Sequence, residues 1–166
     1  MVFKSGACYL MRNCYIWASK NIRYMYKCTQ VSPGRYVLSL DNHVEIVEAL
    51  RSFCEEHHIL AGSISGLGAV NEATFRFLNP ATKQYVDKTF AEQMEITNLV
   101  GNISQLDGKP YLHVHITAGR SDYSCVGGHL LSARINGACE LTVEDFGNCT
   151  LGRKFDPETG LNLYNF

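Results

Sequence analysis

The chain has no stretch of eighteen consecutive apolar residues, so no segment of it reads as a transmembrane helix. It has no CxxC pair, although it carries seven cysteines: Cys8, Cys14, Cys28, Cys54, Cys125, Cys139 and Cys149. An odd count without paired spacing argues against a disulfide framework and for a reducing, cytoplasmic setting. Apart from Cys125, these thiols read as small buried hydrophobes. An excess of one charge is lacking too. Lys and Arg number 15 against 16 Asp and Glu, for a formal net charge of −1. That argues against a broadly basic, phosphate-neutralising surface and leaves room only for a local basic patch. Nucleotide-binding loops are also missing. Gly62-Ser63-Ile64-Ser65-Gly66-Leu67-Gly68 has neither GxGxxG spacing nor a Walker lysine, and reads as a tightly packed or bulged strand.

Arg12 and Asn13 interrupt what a signal peptide needs as an unbroken apolar region. Residues 1–31 are therefore read as an N-terminal, poorly ordered extension, of the kind also produced when a start codon is placed too far upstream. Residues 32–166 read as one domain. A hydrophobic fraction of 46% with 19% charged residues is ordinary for a soluble globular chain, and 166 residues suffice for a real core.

The pattern along the chain predicts strands joined by short turns. Gly34 to Leu40 is a strand after a Pro33-Gly34 turn. Asp41 or Asn42 is the expected cap of one long helix, whose apolar residues Val44, Ile46, Val47, Leu50, Phe53 and Cys54 recur with helical spacing to about His58. Strands follow at about 59–70, 73–78, 85–90, 92–103, 111–118, 126–135 and 138–146. In the last, Cys139, Leu141 and Val143 alternate with Glu140, Thr142 and Glu144, as in a half-buried strand. The tail from Arg153 is polar and turn-rich. The sum is an α+β domain with a largely antiparallel sheet of about seven or eight strands and one long helix.

Chemistry concentrates in LHVHITAGRSDYSCVGGHLL, residues 112–131, which holds His113, His115 and His129, half of the histidines. Residues i and i+2 of a strand share a face, so His113 and His115 point together. A hairpin centred near Asp122 sets residue 115 opposite 129, with Cβ atoms roughly 5 Å apart, and leaves 113 as the diagonal neighbour. Three convergent imidazoles suit zinc or another divalent metal with an open position. The alternative is three separately hydrogen-bonded core or interface histidines. In the intervening loop, Arg120 offers an anion contact, while Asp122, Tyr123 and Cys125 are candidates for ligand-binding or supporting roles; ordinary loop composition is the competing account. Cys125 as a nucleophile with His129 as its base is disfavoured, because i and i+4 on a strand lie too far apart. Glu95 and Glu144 are either supporting partners or simply solvated.

These residues resemble a known family, the PPC (Plants and Prokaryotes Conserved) domain in its bacterial form. SISGLGAVNEATFRFLNPATKQY at 63–85 resembles its glycine-containing strand pair, and EITNLVGNIS at 95–104 its next core strand. LHVHI at 112–116 and GGHLL at 127–131 resemble its histidine signature. RKFDPETGLNL at 153–163 resembles its C-terminal ending, on Arg153, Asp156, Thr159, Gly160 and Leu163. The resemblance implies an α+β fold, assembly as a homotrimer, and metal ligation by His113, His115 and His129. It also carries a DNA-binding label that leans on plant relatives with AT-hooks. This chain has no Arg-Gly-Arg core of that kind. Three functions follow as expectations: a trimeric metal-binding domain acting on a small-molecule ligand, a DNA-associated regulatory module, or an assembly module whose histidines sit at subunit contacts.

Overall fold

The computed structural model describes residues 25–166. The first 24 residues of the expected extension lie outside the described residues; positions 26–31 belong to the first strand. The elements are β1 (Tyr26–Ser32), β2 (Arg35–Leu40), α1 (Ile46–Glu56), β3 (Gly62–Asn79), β4 (Gln84–Phe90), β5 (Met94–Leu106), β6 (Lys109–Gly119), β7 (Cys125–Asp145), β8 (Arg153–Asp156) and β9 (Leu161–Tyr164). Seven strands form one antiparallel sheet in the order β1-β2-β7-β6-β5-β3-β4, and β8 and β9 pair separately. β3 also pairs with β7, so β3, β5, β6 and β7 close into a ring.

Two strands are much longer than the sequence pattern suggests. β3 joins the expected strands at 59–70 and 73–78, and β7 joins those at 126–135 and 138–146. Asn71 and the Asn136-Gly137 pair look like strand ends, but they fall at register shifts, where the chain bulges and continues. β7 is long enough to pair on one edge with β6 and then with β2, while its other edge follows β3. The alternation expected for Cys139, Leu141 and Val143 holds, and all three are buried.

The helix is shorter than expected, with eleven residues. The reason is local. The backbones of His43 and Val44 pair with Ile135 of β7 and not with a helical turn. Glu45 is the cap, in place of Asp41 or Asn42: its carboxylate accepts from the N–H groups of Val47 and Glu48 at 3.0 and 2.7 Å. Asn42 serves β7 instead, accepting from Gly137 N at 3.0 Å. At the other end His58 takes a φ of 55° and the helix stops. The buried stripe Ile46, Ala49, Leu50, Phe53 and Cys54 has the spacing of one helical face. It packs with Leu99, Val114, Ile116, Leu130 and Ile135 in one core cluster.

The same Glu45 carboxylate accepts from Ala133 N of β7 at 2.9 Å, so one side chain ties the helix start to the sheet. Glu45→Ala orphans three N–H groups and should lower unfolding stability by about 2 kcal/mol in urea titration. A loss below about 0.5 kcal/mol would show that water replaces the cap at no cost.

Candidate metal centre

The centre is built by strand register. His115 on β6 lies directly opposite His129 on β7. The row continues to both sides: Val100 of β5 opposes His115, Arg76 of β3 opposes His129, and Asp87 of β4 opposes Arg76. His113, two residues back along β6, opposes Asn102 of β5. Between them Val114 is buried, as are Ile116 and Ala118, so the histidines occupy the face turned away from the core.

Gly127 and Gly128 make this register attainable. A Cβ on Gly127 would come within 2.5 Å of the Ile116 carbonyl oxygen, and Gly128 holds a φ of +150°. A side chain at Gly127 would displace that carbonyl, whereas Gly128 has open space but a backbone conformation that L residues rarely adopt.

The three rings converge as the hairpin argument requires. Their centroids lie 5.0 Å apart for His113–His115, 5.1 Å for His113–His129 and 5.4 Å for His115–His129. Nitrogen atoms of all three lie within 4.8 Å of one another. The Nε2 atoms of His113 and His115 are 3.1 Å apart. Tetrahedral zinc with Zn–N bonds near 2.05 Å sets its nitrogens about 3.3 Å apart. The widest nitrogen separation therefore has to close by up to about 1.5 Å to hold such an ion. His113 and His129 are half-buried and His115 is exposed, which leaves one side open.

Burial and mutual repulsion favour the neutral form of His113 and His129, the form a metal requires. Burial, then the neighbouring His113 and His115, push His129 from its ordinary 6.5 down to about 4. His113 is lowered by burial first, then by His115 and Arg153.

Two arginines to which the sequence pattern gave no role at the site flank the cluster. Arg76, beside His129, donates from Nε and Nη2 to the two carboxylate oxygens of Asp87, both at 2.8 Å. Arg153, on the tail hairpin, donates from Nη2 to Asn102 Oδ1 at 2.9 Å and from Nε to Ser104 Oγ at 2.7 Å. Asn102, Val100, Gly101, His113 and His115 line an open hollow of about 240 Å³. Asn102 carried no signal of its own in the sequence. Its role is visible only once β5 is registered against β6.

The loop candidates are placed elsewhere. Cys125 pairs with Gly119, four registered positions from His115–His129, or about 13 Å along the strand. Asp122 accepts from the N–H and hydroxyl of Ser124 at 2.9 and 2.6 Å, shaping the turn. Tyr123 takes a φ of 65° at the hairpin tip and is exposed. Arg120 is ion-paired to Glu92 at 2.9 Å. Glu144 pairs with Arg35 at 3.2 Å, and Glu95 lies on β5 opposite Gly119. The hairpin thus brings the three histidines together and leaves the loop residues at its far end.

A family model for the Plants and Prokaryotes Conserved (PCC) domain matches residues 29–147. The chain belongs to this family. Solved structures agree with that membership. A "putative DNA binding protein" from Bacteroides thetaiotaomicron is 55% identical, with a TM-score of 0.83, over 86% of this chain and 98% of its own. A second protein of that description, from Ralstonia eutropha, is 31% identical with a TM-score of 0.76, over 86% of this chain and 96% of its own. A protein from Archaeoglobus fulgidus described as metal-containing is 34% identical, with a TM-score of 0.75, over 88% of this chain and all of its own. No curated protein matches the chain.

The depressed His129 gives this PPC domain a defined acid response. Its neutral form favours the folded state, because the ring titrates near 6.5 when unfolded and near 4 when folded. The stability from this source is complete above about pH 6.5 and is lost as pH falls from there towards 4. Ring resonances of the metal-free protein, followed by NMR, should show His129 titrating well below the ordinary histidine value of 6.5. A His129 midpoint above 6 would mean that the three rings do not pack together in solution.

Proposed function

We propose that this PPC-domain protein is a homotrimeric, cytoplasmic, metal-binding protein, with residues 32–166 as its single domain. In this reading His113, His115 and His129 hold a divalent ion, zinc in the first instance, beside a pocket for a small molecule. The observation that carries it is the convergence of nitrogens from three imidazoles within 4.8 Å on one open face. The metal-containing description of the Archaeoglobus fulgidus relative, at 34% identity, supports it. When bound, such an ion supplies a Lewis acid with a fourth position open to an oxygen ligand. Arg120, Asp122, Tyr123 and Cys125 then form a separate cluster at the tip of the β6–β7 hairpin.

Self-association is supported by the β3–β4 hairpin. Phe77 and Val86 oppose each other there, 67% and 61% exposed, so two large apolar side chains face water side by side. The second reading, a DNA-associated regulatory module, is favoured by the descriptions of the Bacteroides and Ralstonia relatives. The chain's net charge of −1 gives it no general electrostatic help. Of the arginines near the cluster, Arg76 already faces a carboxylate.

Elemental analysis of purified protein, repeated after zinc loading and dialysis, should find about one ion per subunit. The His113→Ala/His115→Ala/His129→Ala variant should lose it while light scattering still reports a trimer. Metal-free protein in both preparations would overturn the metal reading. Dissociation of the triple variant without any metal involved would favour the assembly reading in its place. Retention of AT-rich duplex that weakens steeply with salt would favour the DNA reading.

A further inference from the structure

Among the described residues, Arg153 is a cation near the histidines that joins no ion pair. It donates to Ser104 Oγ at 2.7 Å, to the Asn162 carbonyl at 2.8 Å and to Asn102 Oδ1 at 2.9 Å, all neutral groups. Its guanidinium lies 4.8 and 4.3 Å from the ring centroids of Tyr111 and Tyr164. The ion pairs found among the described residues are Arg35–Glu144, Arg76–Asp87 and Arg120–Glu92, and Arg153 is in none of them. A partly buried guanidinium with only dipoles and π-faces around it keeps most of its field.

Arg153 also sets the orientation of Asn102. An asparagine amide has one accepting and one donating end, and the partner decides which points where. Here Oδ1 is taken by Arg153, so Nδ2 is the end left for other partners. Among the described residues it has no acceptor. Asn102 stands opposite His113 and lines the hollow that His113 and His115 also line. The hollow's 240 Å³ is about eight times the ~30 Å³ share of one liquid water, enough for an acid of a few carbons.

We infer that this hollow is an anion-selective subsite, in which the Asn102 amide, oriented by Arg153, donates to a small carboxylate whose other oxygen occupies the open position of the histidine-bound ion. The inference rests on the metal reading and specifies its ligand class. A divalent ion held by three imidazoles, with a guanidinium behind that joins no ion pair among the described residues, favours a negative ligand over a neutral one of the same shape.

The test uses protein loaded with cobalt(II), whose visible spectrum reports its ligands. Acetate should change the spectrum saturably, and acetamide, its neutral counterpart, should not at the same concentrations. Asn102→Asp keeps an oxygen for Arg153 but removes the donors, and Asn102→Leu removes both. Each should weaken acetate at least tenfold while cobalt stoichiometry stays unchanged. Acetamide as effective as acetate, or both variants titrating like the parent, would overturn the inference. Cobalt that binds but ignores acetate sinks this inference alone. Failure to take up cobalt sinks the metal reading and this inference with it.

Discussion

The site depends on one constraint, the antiparallel register of β6 against β7. Side chains on a strand alternate with period two, so a slip of one residue between these strands would turn His129 from the face of His115 into the core. The slip would also point Leu130 outward, and Leu130 is buried against the helix side of the domain. Core burial and histidine convergence thus select the same pairing. The turn at Arg120–Ser124 supports that selection. Arg120 N donates to the Ser124 carbonyl, Tyr123 N donates to the Arg120 carbonyl, and Asp122 accepts twice from Ser124. Loop residues that looked like site candidates act on the site through register, at a distance.

Ring closure extends the constraint to the other strands. Because β3 pairs with both β5 and β7, a shift in any one of the four pairings must be absorbed by the other three. That is why a row of opposed residues runs unbroken from Val100 through His115, His129 and Arg76 to Asp87. The bulges near Gly68 and Asn71 let the long strands bend around the ring without changing that row.

Much of this was legible in the sequence, and the rest has identifiable reasons for being hidden. The strand class, the antiparallel connections and the 115–129 pairing follow from alternation and from a short polar loop, which are local signals. The unity of β3 and β7 was hidden, because Asn136-Gly137 has the composition of a turn whether it ends a strand or bulges it. The helix cap was hidden because Asp41 and Asn42 are better generic caps than Glu45. What decides between them is the pairing of His43 and Val44 with Ile135, some ninety residues away. The histidines could be found because HxH and GGH lie close in sequence. Asn102, Arg76 and Arg153 could not, since each reaches the site from a different strand and has no distinctive neighbour. Arg153 was picked out only as part of a C-terminal family pattern, with no role attached.

The two flanking arginines have opposite electrostatic consequences, although both are held by two or more hydrogen bonds. Arg76 is matched oxygen for nitrogen by Asp87, and the pair acts on His129 with opposing signs. Arg153 is held by an amide, a hydroxyl and a carbonyl, which fix its position without cancelling its charge. The field across the cluster is therefore uneven, near neutral on the β3–β4 side and positive on the β5 side. The hollow beside the histidines lies on that positive side, against Asn102 and Val100. A ligand drawn by charge is directed to the side where a donor amide and open volume already stand. The tail hairpin that carries Arg153 thereby becomes part of the site, joined to it through β5 and not through the histidine strands.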